Sequence, residues 1–179
     1  MLRHLRTPLA LLMCTAVLAG CESASRMADS ISLPDFGSSQ PEQGEQRVQR
    51  TVAFPEAEYA RLDKTGTSVI KGRMSYEWQG QTIYANRAGI SIAPVTTYSA
   101  EAAELALAGK TASRADPRAQ AYTHSVRTDS NGYFNATGLP SGTFYVAGVV
   151  QLPDGTRSPL ILSQVQVGRG QTRSIELSR

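Results

Sequence analysis

The chain has 179 residues, a formal net charge of +3 and 18% charged residues, enough for one domain with an additional segment. Two of the positive charges, Arg3 and Arg6, precede an N-terminal apolar stretch. The remainder of the chain is close to neutral and gives no case for nucleic-acid binding. Both cysteines, Cys14 and Cys21, are also N-terminal, and His124 is the one histidine beyond that stretch. The body of the chain therefore lacks a disulfide and the ligands of a histidine- or cysteine-based zinc site.

Taken in chain order, Arg3, His4 and Arg6 form a basic start and Leu9 to Leu18 an apolar run. A permanent membrane helix needs roughly 20 apolar residues, so the run is too short to span. Basic start, short apolar core and small residues at the end are the anatomy of a signal peptide over residues 1–20. The run ends Leu18-Ala19-Gly20-Cys21, which resembles the bacterial lipobox. The resemblance implies acylation of the Cys21 thiol, cleavage before it, and a protein tethered to a membrane. Several acyl chains are needed for durable anchoring. Glu22 rather than aspartate follows Cys21, which favours the outer membrane over the inner one. Residues 21–50 are rich in Ser, Gln, Glu, Gly and Pro and read as a flexible linker. Residues 51–66 contain Phe54-Pro55-Glu56, with Pro55 and the acidic Glu56 and Glu58 suited to a helix start; a short helical turn or irregular arm laid on the domain is expected.

From residue 67 to 179 the pattern is β. Ser68 to Trp78 alternates in its second half, and Gln79-Gly80-Gln81 turns into Ile83 and Tyr84. Gly89 to Val95 places Ile90 and Ile92 two apart, with Pro94 marking an edge or a strand end. Ser99 to Ala108 breaks the rhythm as an alanine- and glutamate-rich helix, capped by Ser99 or Thr97 and stopped by Gly109. Lys110 to Ala119 reads as a loop. Further strands are expected at Tyr122–Arg127, Gly132–Ala136, Thr143–Val150, Leu160–Val167 and Arg173–Leu177, with Thr143–Val150 the most apolar and so the expected central strand. About seven short strands with frequent turn signals predict an all-β sandwich with one short inserted helix.

The most specific stretch is Thr128 to Val146. Asp129, Asn131 and Gly132 form one tight turn and Pro140 and Gly142 a second, with Phe134 pointing into a core between them. With Thr128, Asp129, Gly132, Phe134, Leu139, Pro140, Gly142 and Val146 in place, the sequence resembles the carboxypeptidase regulatory-like domain. That family has a transthyretin-like (prealbumin-like), Ig-like Greek-key sandwich. Phe144 stands where that family usually has tyrosine, and residues 98–121 replace its usual short connection. The resemblance implies a fold and no peptidase activity.

The chemical alternatives are thin. Asp129 and Asn131 lack the following acidic ligands of a calcium loop. Hydroxyisourate hydrolases share the broad fold but use several histidines and a tail unlike Ile175-Glu176-Leu177-Ser178-Arg179. Intradiol dioxygenases hold iron with two histidines and two tyrosines, and His124 stands alone. No nucleophile elbow, phosphate loop, metal set or cofactor motif is present. The leading expectation is a non-catalytic, lipid-anchored envelope protein acting as an interaction or structural module, with an envelope protein partner and with residues Glu101 to Ala108 as the first place to seek contact. The alternative is a carbohydrate-binding lipoprotein using Tyr76, Trp78 and Tyr84 as an aromatic platform. A cryptic hydrolase built around His124 ranks third.

Overall fold

A computed structural model describes residues 47–179; the expected signal peptide, Cys21 and the linker up to residue 46 lie outside the described residues. Among the described residues, eight strands form two sheets: β1 (Ser68–Trp78), β2 (Gln81–Tyr84), β3 (Gly89–Pro94), β4 (His124–Arg127), β5 (Tyr133–Leu139), β6 (Gly142–Gly148), β7 (Ile161–Val167) and β8 (Thr172–Ser178). In the first sheet β1 pairs antiparallel with β2 and β5 and parallel with β8. The second runs β4-β3-β6-β7, antiparallel throughout. The eighth strand, beyond the expected seven, is the short β2. It exists because Gln79 (φ 51°) and Gly80 (φ 76°) make a two-residue hairpin with both central residues left-handed, the geometry that matches strand twist.

Period-two alternation builds the core. On β1, Ile70 and Met74 are fully buried, and they meet Ile90, Ile92, Phe134, Phe144, Val146 and Leu177 from both sheets. Complete burial of each such side chain contributes about 2 kcal/mol. The apolar stretch ending in Val150 supplies β6, which lies inside its sheet as its composition predicts. Pro94 ends β3, but β3 is an inner strand between β4 and β6, so of the two readings of Pro94 the strand end is correct.

Both signature turns carry the chain between sheets. Asp129–Gly132 leads from β4 to β5, and Pro140–Ser141 from β5 to β6. Thr128 explains its place in the motif. Its buried hydroxyl donates to the Ala85 carbonyl (2.6 Å) and accepts from the Ala88 N–H (2.9 Å), fixing the β2–β3 connection to the β4–β5 crossover. Gly132 is left-handed (φ 85°) as expected. At the second turn the left-handed glycine is Gly138 (φ 75°), whereas Gly142 (φ 159°) borders the extended region.

The connection between β3 and β4 holds two helices rather than one: α2 (Thr97–Leu107) and α3 (Pro117–Gln120), the latter inside the expected loop. The N-cap of α2 is Thr96, one residue before the nearer candidate. Thr96 and Ser99 make a reciprocal capping box, with Ser99 N–H to Thr96 Oγ1 at 3.1 Å and Thr96 N–H to Ser99 Oγ at 2.9 Å. The N-terminal arm contains α1 (Glu56–Tyr59) and completes a second apolar cluster of Tyr59, Tyr98, Ala115 and Ala119, joined by Val52, Phe54, Leu62 and Tyr122. Residues 47–50, which composition assigns to the linker, belong to this structure. Val48 bridges Ala112, and Arg50 donates to the Ser113 and Tyr98 carbonyls while stacking on the Tyr98 ring at 4.3 Å.

Candidate functional site

The described face with the most exposed aromatic surface is the outer face of the first sheet. Register assembles it. Arg73 on β1 pairs with Tyr133 on β5, and Ser75 pairs with Tyr84 on β2, so these side chains share the face opposite Met74. The Arg73 guanidinium lies 3.4 Å from the Tyr84 ring centroid and 4.7 Å from that of Tyr133. Each such contact contributes about 0.5–1 kcal/mol at an exposed site. Both rings remain open to solvent, at 41% and 53% exposure.

The signature turn holds this arrangement in place. The Asp129 carboxylate accepts from the N–H groups of Asn131 (2.8 Å) and Tyr133 (2.9 Å), and the Asn131 carbonyl accepts from Arg73 Nε (2.8 Å). Gly132 accepts the Met74 N–H through its carbonyl (2.9 Å). A Cβ on Gly132 would stand 2.6 Å from the Met74 carbonyl oxygen and 3.4 Å from Tyr84 Cβ. Its absence lets β2 and β5 meet end to end beside β1. A cation thus lies against two exposed tyrosines on one face of the sheet. Such a surface can stack on the apolar C–H face of a sugar ring while phenolic and guanidinium groups bond its oxygens.

Only part of the expected platform lies here. Tyr84 does; Tyr76 and Trp78 share the inward parity of Ile70 and Met74 and pack, half-buried, against the main core. Tyr133, which completes the face, lies outside the expected set. Its signal is present in the sequence, because assigning Phe134 inward turns Tyr133 outward on the same strand. Arg73 likewise alternates with Met74.

On the helix where a partner contact is expected, Glu101 faces the arm. Glu101 accepts from the Thr51 N–H (2.6 Å), its hydroxyl (2.5 Å) and the Val52 N–H (3.3 Å). Desolvation opposes ionisation of Glu101, but the Thr51 and Val52 hydrogen bonds prevail and hold its carboxyl below the usual range. Glu58 caps the start of α2 through the Thr97 N–H and hydroxyl, and Arg118 pairs with Glu56 and Asp116. Leu107 is the one large apolar side chain of α2 left exposed.

His124 is half-buried opposite Ile92 on β4. Burial pushes its imidazole below the ordinary pKa, against a hydrogen bond with the Lys64 backbone that favours the charged ring. The fold therefore prefers neutral His124. That contribution to stability is complete above the ordinary value of about 6.5 and is lost as pH falls through the lowered folded value. The stability of the wild type relative to His124→Gln should fall on acidification from about pH 7 to pH 5. A difference in unfolding midpoint constant across that range would contradict this assignment. No group of three or more His, Cys, Asp or Glu side chains among the described residues could hold a metal ion, and no described helix is long and apolar enough to cross a membrane.

The fold and its outer face define an immunoglobulin-like, prealbumin-like β-sandwich with a solvent-facing aromatic and cationic surface. No protein-family model matches the chain, and no curated protein matches it. Among solved structures it is similar to a protein of Pseudomonas aeruginosa provisionally assigned to carbohydrate binding: 26% identical, TM-score 0.59, covering 70% of this chain and 97% of that one. More distant likenesses are the major pilin subunit BcpA of Bacillus cereus (15% identity, TM-score 0.36, 63% of this chain and 29% of that one) and a Bacteroides uniformis protein also provisionally assigned to carbohydrate binding (8%, 0.34, 63% and 41%).

Proposed function

We propose that this chain is a non-catalytic carbohydrate-binding lipoprotein of the bacterial cell envelope, tethered through Cys21 and binding its ligand on the Tyr84–Arg73–Tyr133 face. The observation that carries the reading is the pair of exposed tyrosines set against Arg73. Exposing aromatic surface is unfavourable in water, and tyrosine gives large contact area at small conformational cost, which suits it to binding surfaces. The likeness to the Pseudomonas protein supports the same reading. Absence of a catalytic set in the sequence supports a binding rather than a turnover role.

A glycan array tests the binding reading. Wild-type protein should retain a subset of saccharides, and Tyr133→Ala should weaken retention about tenfold or more, the effect of removing a central aromatic anchor. Retention that is equal in wild type and a Tyr84→Ala/Tyr133→Ala double variant would refute the assigned face. The tether is tested separately by fractionating cells. Wild-type protein should sediment with membranes and Cys21→Ala should not; identical membrane fractions would remove the lipid anchor.

A further inference from the structure

Arg73 Nε is engaged by the Asn131 carbonyl, but no carboxylate among the described residues forms an ion pair with the guanidinium. Glu176 is its register partner on β8 and shares the outer face without pairing. Lys71, two residues along β1, adds a second exposed cation and lies in register with exposed Asn135. Asp129 and Glu77 keep their negative charge but direct their carboxylates to other donors. Asp129 accepts from turn N–H groups, and Glu77 at the far end of β1 accepts from Thr82. The guanidinium lies against both rings with its Nε bonded to the Asn131 carbonyl, and its planar fork carries further N–H donors matched to a carboxylate.

We infer that the face selects acidic saccharides, the carboxylate of a hexuronic acid unit pairing with Arg73 while the sugar ring stacks on Tyr133 or Tyr84. This rests on the carbohydrate-binding reading above and adds the class of sugar. Lys71 strengthens the field for an anion and Glu176 opposes it. The Glu176→Gln variant should therefore bind the acidic ligand more tightly and a neutral ligand unchanged, a direction that a purely structural role would not produce.

The test is titration calorimetry of the full chain with a hexuronate tetrasaccharide and with a neutral glucose tetrasaccharide at matched salt. The wild type should bind the uronate at least about tenfold more tightly, and Arg73→Gln should remove that preference, as expected for a charge-assisted hydrogen-bonding pair. Raising salt should weaken the uronate alone. Because Arg73 also braces the tyrosines, Arg73→Lys is the second variant: it keeps the charge, loses the planar fork and should retain part of the preference. Equal binding of both saccharides by wild type and Arg73→Gln would overturn the acidic selectivity while leaving the platform in place. Binding of neither saccharide by a wild type that the glycan array shows to be active on other sugars would also overturn it, and an array with no binding at all would overturn the carbohydrate reading itself.

Discussion

Gly132→Ala should destabilise the protein by at least about 3 kcal/mol, and Gly155→Ala by about 1 kcal/mol. The two glycines have nearly the same backbone angle, φ 85° and 86°, so the cost of a side chain in the left-handed region is shared. Their surroundings differ. A Cβ at Gly155 meets nothing within 4 Å, whereas one at Gly132 stands 2.6 Å from the Met74 carbonyl oxygen. Relief would require β1 to move away from the crossover, straining the Met74 N–H bond to the Gly132 carbonyl and the approach of Tyr84. Gly132→Ala should therefore lose ligand binding as well as stability, while Gly155→Ala keeps binding. Chemical denaturation of both variants decides the matter, and equal losses would mean that the close approach carries no energetic weight.

The second large effect is expected at Tyr59. Its ring packs on Phe54 (centroids 4.7 Å) and Tyr122 (5.1 Å), and its hydroxyl accepts from Thr96 Oγ1 at 3.2 Å. Burial raises its pKa, opposed by the Thr96 hydrogen bond, so the neutral phenol is the form the cluster holds. Tyr59→Ala should cost about 3 kcal/mol or more by opening a cavity, and Tyr59→Phe about 1 kcal/mol by deleting one hydrogen bond. The loss should be local. The cluster draws on residues 52–62 and 98–122, and it is separate from the core between the sheets. Hydrogen exchange should accelerate in α1, α2 and α3 of Tyr59→Ala while β1 and β6 keep their protection. Uniform acceleration throughout the chain would show that the two clusters unfold as one unit.

The sandwich was legible because its signals are local. Alternation places Ile70, Met74, Ile90 and Ile92, and the Thr128–Val146 motif gives two turns with Gly132 at its required left-handed position. The sequence placed a short arm on the domain over residues 51–66 but not its partners, because Val48 finds Ala112, Arg50 finds Ser113, and Thr51 finds Glu101 across long stretches of chain, and nothing local distinguishes those partners from ordinary residues. For the same reason residues 47–50 read as linker.

The candidate face was half legible for a different reason. Grouping Tyr76, Trp78 and Tyr84 by aromatic character ignores parity along β1, which sends the first two inward with Ile70 and Met74. Parity alone turns Arg73 and Tyr133 outward. Bringing Tyr84 beside them needs the register of β1 with β2 and β5, information that exists only once the sheet is assembled.

Ligand should bind the outer face of the first sheet through Tyr84, Arg73 and Tyr133. The most direct measurement is an amide chemical-shift titration with a saccharide retained on the array. Shifts should concentrate at Arg73, Tyr84, Asn131 and Tyr133 and their strand neighbours, and should be abolished in the Tyr84→Ala/Tyr133→Ala variant. Saturable shifts confined instead to α2 or to the outer face of the β4-β3-β6-β7 sheet, and unchanged in that variant, would contradict binding at this face.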